Sequence, residues 1–284
     1  IIFPKKVLEY IITTYTLEAG VRKVKERVFE IIREINLRYL LGNDNLNIPV
    51  EVDIDLVEEI FHNKSKITTK KIAPKSQIGL VNGLYATASG IGGITIIESF
   101  KTPTDSKLSL ELTGQQGDVM KESMKCAKTI AWNLLPDEVK KNINKDWESC
   151  GPYGLHIHCP EASTPKDGPS AGAAITTAIL SRLCNIPIKN IIAMTGEIDL
   201  NGKIHRIGGL EFKLDGAKGA GVKTVLIPKE NEEDYNKILN NMTTEEKTIF
   251  LNDFDIIQVE NIIEVISIAL VDNKLQFNID YEGE

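Results

Sequence analysis

Apolar residues recur at steps of three and four along residues 21–39, where Val21, Val24, Val28, Ile31, Ile35 and Tyr39 fall on one side of a helix. The polar run "GNDNLN" from Gly42 stops that pattern. A shorter helix precedes it over residues 4–14, with Pro4 in its first turn, where a missing N–H costs nothing. A third is expected near residues 53–61. Together these predict a small all-α unit over residues 1–62. Residues 62–76, "HNKSKITTKKIAPKS", are lysine-rich and poor in apolar side chains, and a linker is expected there, with limits of 63–76.

From Gln77 the period changes from 3.6 to 2. "QIGLVNGLYATA" and "GITIIESF" read as strands around a glycine-rich turn at Gly90–Gly93, and "KLSLEL" alternates as a third. Residues 118–135 form a helix, with Met120, Met124, Ala127, Ala131 and Leu134 on one face. Strands and helices then alternate: "GLHIHCP", a helix from Pro169 to Cys184, "IIAMTGEI", a helix over residues 209–218, and "KTVLIP". Further helix follows, then "DIIQV" and a last helix through Leu270. The expected fold is a mixed α/β domain over residues 77–270, antiparallel in its first half, with a loose tail over residues 271–284.

Composition leaves this picture in place. The chain has 284 residues, 42% hydrophobic and 26% charged, enough for one large or two smaller cores. The net charge of −7 leans against a nucleic-acid partner. No apolar run reaches membrane-spanning length, so no membrane partner is expected. Cys126, Cys150, Cys159 and Cys184 are widely spaced without a C-x-x-C, which points to free thiols in a reducing compartment, the cytoplasm or an organelle matrix. The chain opens at Ile1 without methionine and enters a helix at once, as a fragment of a longer protein would.

The chemistry centres on "TPKDGPSAG", residues 164–172. The segment fits G-x-S-x-G, the elbow that presents a serine nucleophile in α/β hydrolases. Its context does not fit. Pro160, Pro165 and Pro169 precede the serine where a central strand should run. Downstream only His205 is available as a triad base. A neutral lysine amine is the other base for a serine, and burial supplies it by disfavouring the charged form. Leu210, Lys213, Leu214 and Ala217 fall at i, i+3, i+4 and i+7, which puts Lys213 within the apolar stripe of its helix. Two structural readings stand beside the catalytic one. Ser170 sits where serines cap helices, and Lys213 can snorkel its head to water. His156 and His158 alternate on one strand and share a face, with Cys159 on the other; two ligands make no zinc site, and no metal site is expected.

Taken together, "PEASTPKDGPSAG", "AMTGEIDLNGKIHRIGGL" followed by Lys213, "GLVNGLYATASGIGG" and "LTGQQGDVMKES" resemble four blocks of the Lon protease proteolytic domain, in order. The resemblance implies an α/β (mixed α+β) fold like domain 2 of ribosomal protein S5, preceded by a small all-α subdomain of the ATPase module. It implies a Ser-Lys dyad, with Ser170 as nucleophile and Lys213 as general base and acid. Thr195 would orient the amine, and Asp167 would be a carboxylate near the serine that holds an inactive arrangement. "YTLEAGVRKVKERV" resembles the helical ATPase subdomain, with Arg22 as the nucleotide-sensing arginine of the longer protein. No phosphate-binding G-x-x-x-x-G-K-[ST] loop occurs, so ATP and Mg²⁺ are expected to act only in that longer protein and no cofactor is expected in this chain. The implied substrates are unfolded or damaged polypeptides, and the implied assembly is a homo-oligomeric ring of six. Glu211 and Phe212 stand where the family has Lys-Glu, and Tyr85 stands for a Trp; both bear on substrate preference and on the charge around Lys213. The family has histidines matching His156 and His158 without a metal, which implies packing or hydrogen bonding near the active site. The alternative is a non-catalytic S5-like binding or assembly module that keeps the motif as structure.

Overall fold

The computed structural model describes residues 1–278 except 17, 19, 43–48, 68, 89, 161–165 and 273–275. Most of "GNDNLN" and part of the segment before Lys166 therefore lie outside the described residues. The chain divides into two compact units, Ile1–Thr69 with Thr87–Ile91, and Lys70–Ala86 with Gly92–Glu284.

The first unit holds α1 (Lys5–Ile11), extended by a π turn over Ile12–Thr16, then α2 (Arg22–Leu40) and α3 (Ile54–Ile60). Asp53 starts α3 by accepting the Leu56 N–H at 2.8 Å, the bond an N-cap supplies to an orphan donor. Val7 and Ile11 of α1, Ile31 and Ile35 of α2, and Val57 and Phe61 at α3 form a separate small core. The stripe on α2 is buried only at its centre, since Val21 and Tyr39 at its ends are exposed.

The second unit is built on a seven-stranded sheet. In chain order it comprises β1 (Gln77–Ile78), β2 (Leu80–Ala86), β3 (Gly92–Pro103), β4 (Leu110–Thr113), α4 (Asp118–Leu134), α5 (Asp137–Cys150), β5 (Tyr153–His158), α6 (Gly172–Cys184), β6 (Pro187–Ile188), β7 (Ile192–Met194), β8 (Glu197–Ile198), β9 (Ile204–His205), α7 (Leu210–Ala220), β10 (Thr224–Pro228), α8 (Glu232–Asn240), α9 (Thr244–Leu251), β11 (Asp255–Val259) and α10 (Ile262–Ala269). The sheet order is β11-β10-β7-β2-β3-β5-β4. β3 pairs antiparallel with β2 and β5, and the remaining four pairings are parallel. The fold is therefore mixed α/β. Side chains alternate across the sheet: Val81, Ile97 and Leu226 join a core with α4, α5, α6 and α10, while Leu84, Ile94, Val225 and Ile227 face a second core under α7.

Three strand expectations are corrected. Gly79, at φ +71°, breaks "QIGLVNGLYATA" into β1 and β2, and β1 leaves the main sheet to pair with β6. "KLSLEL" is strand only from Leu110, because Leu108 turns the chain with φ +53°. "IIAMTGEI" splits into β7 and β8 around Thr195 and Gly196. α5, which no expectation placed, docks chiefly through Ile143 and Trp147 on one face, and Trp147 stacks on Trp132 of α4. Asn278 is held at the end of α4: its N–H donates to Leu134 O at 3.0 Å and its side-chain amide donates to Leu135 O at 2.9 Å.

Candidate active site

α6 is unusual in being buried on nearly every side; only Arg182 and Cys184 of its thirteen residues are not. Such a helix lies wholly in the interior. Its entry is therefore fixed, and Ser170 sits in that entry, in the 3₁₀ turn Pro169–Ala171. Gly168 opens the turn at φ +117°, a conformation a side chain would strain. Gly172 closes it, where a Cβ would come within 2.7 Å of Ile198 Cγ2. Ser170 itself is half-buried and is not the cap of either helix; Gly168 and Ala171 hold those positions without a side-chain bond.

The turn is bolted to the chain after β7. Gly196 N–H donates to Ser170 O at 2.8 Å, and Ala173 N–H donates to Gly196 O at 3.1 Å. Thr195, 1% exposed, adds its hydroxyl to the same Ser170 carbonyl at 3.2 Å. That hydroxyl accepts from Lys213 Nζ at 3.1 Å. Among the described residues, Thr195 is the amine's hydrogen-bond partner, and no direct bond joins it to Ser170 Oγ.

Lys213 reaches Thr195 because α7 lies close on β3. Cβ atoms at Gly92 and Gly216 would each fall within 2.3 Å of the facing backbone, so glycine is required on both sides. Leu210, Leu214 and Ala217 hold the helix to the second core, and Lys213 is 3% exposed. The head group does not snorkel to water. Burial lowers its pKa from 10.5 to about 8, because a dry ammonium is costly. A fraction of the amine is then neutral near physiological pH.

The other singled-out residues separate from this cluster. Asp167 Oδ1 accepts the Met120 N–H at 3.0 Å and the Gly168 N–H at 2.9 Å, so it caps α4 from outside that helix. Gly117, the formal cap of α4, supplies no side chain. Arg22 lies in the helical unit, exposed and paired with Glu26 at 3.3 Å; one surface guanidinium can contribute to a nucleotide site but does not form one. His205 faces carboxylates from both ring nitrogens, Asp199 at 3.1 Å and Glu230 at 3.4 Å, which leaves neither for a serine. His156 Nε2 and His158 Nδ1 meet Thr113 Oγ1 at 2.8 and 2.7 Å. Thr113 lies in the block "LTGQQGDVMKES", but its meeting with the two histidines could not be read there, because the β4–β5 pairing that brings them together is a long-range contact. The described residues contain no cluster of three or more His, Cys, Asp or Glu side chains placed to hold a metal, and no helix long and apolar enough to cross a membrane. All four cysteines are free.

Residues 51–272 match the family model described as the Lon protease (S16) C-terminal proteolytic domain, and residues 1–48 match that of the Lon protease AAA+ ATPase lid domain. The chain belongs to the Lon protease family. It is 36% identical over 318 residues to a Lon protease homolog of Acanthamoeba polyphaga mimivirus, covering 92% of this chain and 30% of the relative. It is 38% identical over 283 residues to the Lon protease of Campylobacter concisus, covering 95% and 34%. With the Lon protease of Fervidobacterium nodosum the identity is 36% over 268 residues, covering 94% and 30%. This Lon-family chain thus spans about a third of the length of the curated relatives it matches. The proteolytic-domain match begins ahead of α3, although Val57 and Phe61 pack into the core of the helical unit.

Proposed function

We propose that this chain is the peptide-cleaving part of an ATP-dependent serine endopeptidase and that Ser170 and Lys213 are its dyad. The observation that carries the reading is the buried Lys213 amine, lowered to about 8 and linked through Thr195 Oγ1 to the turn that presents Ser170. In the reaction, neutral Nζ takes the Oγ proton as Oγ adds to the scissile carbonyl. Backbone amides of the turn that bears Ser170, ahead of α6, stabilise the oxyanion. The resulting ammonium returns the proton to the departing amine, which leaves an acyl-serine. Water then attacks the acyl carbon, Nζ accepts its proton, and the carboxylic product leaves with Ser170 reprotonated.

In the longer protein, unfolded polypeptides are the substrates, ATP and Mg²⁺ drive their delivery, Arg22 senses the nucleotide, and the assembly is a homo-oligomeric ring of six. Residues 77–270 form the proteolytic part, 1–62 the helical subdomain of the ATPase module, 63–76 the linker and 271–284 the tail. Asp167 holds a resting arrangement by anchoring the segment before Ser170 to α4. The reducing compartment is the cytoplasm or an organelle matrix.

The test is covalent labelling with a peptidyl fluorophosphonate, mapped by mass spectrometry. An adduct at Ser170 that disappears in Ser170→Ala and forms far more slowly in Lys213→Ala supports the dyad. A folded chain that labels at Ser170 equally fast without Lys213 overturns it.

A further inference from the structure

Lys213 is reached through residues 206–209, a segment outside any strand, and that segment is held by side chains from the turn after β10. Asn231 is fully buried. Its Oδ1 accepts the Ile207 N–H at 3.0 Å and its Nδ2 donates to Ile207 O at 2.9 Å. One side-chain amide thus completes both backbone groups of Ile207, as a neighbouring strand would. Nδ2 also donates to Asp234 Oδ2 at 2.7 Å, and Asp234 binds the Arg206 guanidinium through both oxygens, at 3.1 and 2.7 Å. Glu230 accepts the Arg206 N–H at 3.0 Å. Two residues beyond Ile207, Gly209 O accepts the Lys213 N–H at 3.1 Å, which starts the first turn of α7.

We propose that Asn231 is a positioning residue for Lys213: by pairing with Ile207 it fixes the entry to α7 and so holds the amine against Thr195, out of water. The inference rests on the dyad reading. Its physical basis is that Asn231, fully buried, pairs with both backbone groups of Ile207, two residues ahead of the Gly209 carbonyl that opens α7. Ile207, Leu210 and Leu214 pack together in the second core, but apolar packing does not set a helix's rotation as two directed hydrogen bonds do. The segment is also solvated on one side, where a cleft of about 360 Å³ is lined by Ile207, Gly208, Leu210 and Phe212. Without the clamp, Ile207 N–H and C=O seek other partners, and water in the cleft is the nearest supply. The charged groups facing Asn231 are Asp234, its partner Arg206, and Glu230.

The first measurement needs no peptidase activity. The chain is labelled with ¹³C at the lysine ε-carbon, Lys213 is assigned with Lys213→Arg, and its signal is titrated. The parent is expected to titrate near 8. In Asn231→Ala the midpoint is expected to rise by about one unit or more, as water regains the amine. Peptide hydrolysis is expected to fall about tenfold or more in kcat with KM within about twofold, because geometry is lost and binding is not. Thermal unfolding checks that the variant folds. If it does not, Asn231→Asp, which keeps the acceptor for Ile207 N–H but loses the donor to Ile207 O, is titrated in its place. An unchanged Lys213 midpoint in a folded variant overturns the inference, as does a parent midpoint at the ordinary lysine value. Lys213→Ala separates the two claims: if it retains hydrolysis, the dyad reading fails. If it is inactive while the Asn231 variants match the parent, only the role of Asn231 fails.

Discussion

Thr195 Oγ1 accepts from Lys213 Nζ at 3.1 Å and donates onward to the carbonyl of Ser170 at 3.2 Å. One hydroxyl therefore ties the proposed base to the turn that bears the proposed nucleophile. Thr195→Val keeps the volume and removes both bonds. The ammonium loses its acceptor, so the amine pKa should fall further, while its aim towards Ser170 is lost. The expected result is a pH midpoint below the parent's together with a plateau rate lower by about tenfold or more. A plateau equal to the parent's would show that the hydroxyl does not orient the amine.

The rate of peptide hydrolysis should rise with pH. Only the neutral amine can take the serine proton, so kcat/KM should climb with a midpoint near 8, the value burial gives Lys213. Histidine bases would place the midpoint about 1.5 units lower. A rise centred near 6.5 that vanished in His205→Ala would return the assignment to a histidine.

Holding Lys213 dry costs stability, and the sign can be worked out. The folded pKa of about 8 lies below the unfolded 10.5, so the unfolded chain binds more protons between those values. Stability should therefore rise with pH through that window and carry the full penalty below it. Lys213→Met should recover part of a penalty of about 3 kcal/mol at pH 7 and flatten the slope between pH 8 and 10.5. Urea unfolding at pH 7 and at pH 10 reads both effects. A variant less stable than the parent at pH 7 would show that the amine is not a burden to the fold.

Asp167 is the N-terminal cap that α4 lacks in its own sequence, through the 3.0 Å bond from Met120 N–H. Asp167→Ala should lower stability by about 1 kcal/mol, the usual worth of such a cap. Hydrogen exchange at the Met120 amide should speed up in the variant, while amides deep in α6 keep their protection. An unchanged Met120 exchange rate would show that the bond does not persist in solution.

Much of this site can be read from the sequence because its cues are local. The spacing of Leu210, Lys213, Leu214 and Ala217 places the lysine on a buried face, and the helix realises that spacing. The proline and glycine cluster around Ser170 marks a turn entering a helix, and a 3₁₀ turn stands there. What stayed hidden is long-range. Nothing near Asp167 says that its partner is Met120, forty-seven residues earlier. Asn231 reads as an ordinary polar residue in a turn until the fold sets it against Ile207. Gly79 and Leu108 broke expected strands because a single positive φ ends a pairing that alternation alone would continue. α5 has helical spacing too, with Val139, Ile143 and Trp147 at i, i+4 and i+8, but the charged and polar residues between them outnumber that short stripe.

The near-total enclosure of α6 has a consequence for how a reaction is organised around it. A side chain at the tip of a rod gripped along its whole length has little slack to follow a wandering target. On the proposed function, accommodation to substrates of differing sequence would come from the approaching polypeptide and the surface segments that receive it. If Ser170 is the nucleophile, it is the anvil in this arrangement, and everything else has to be brought to it.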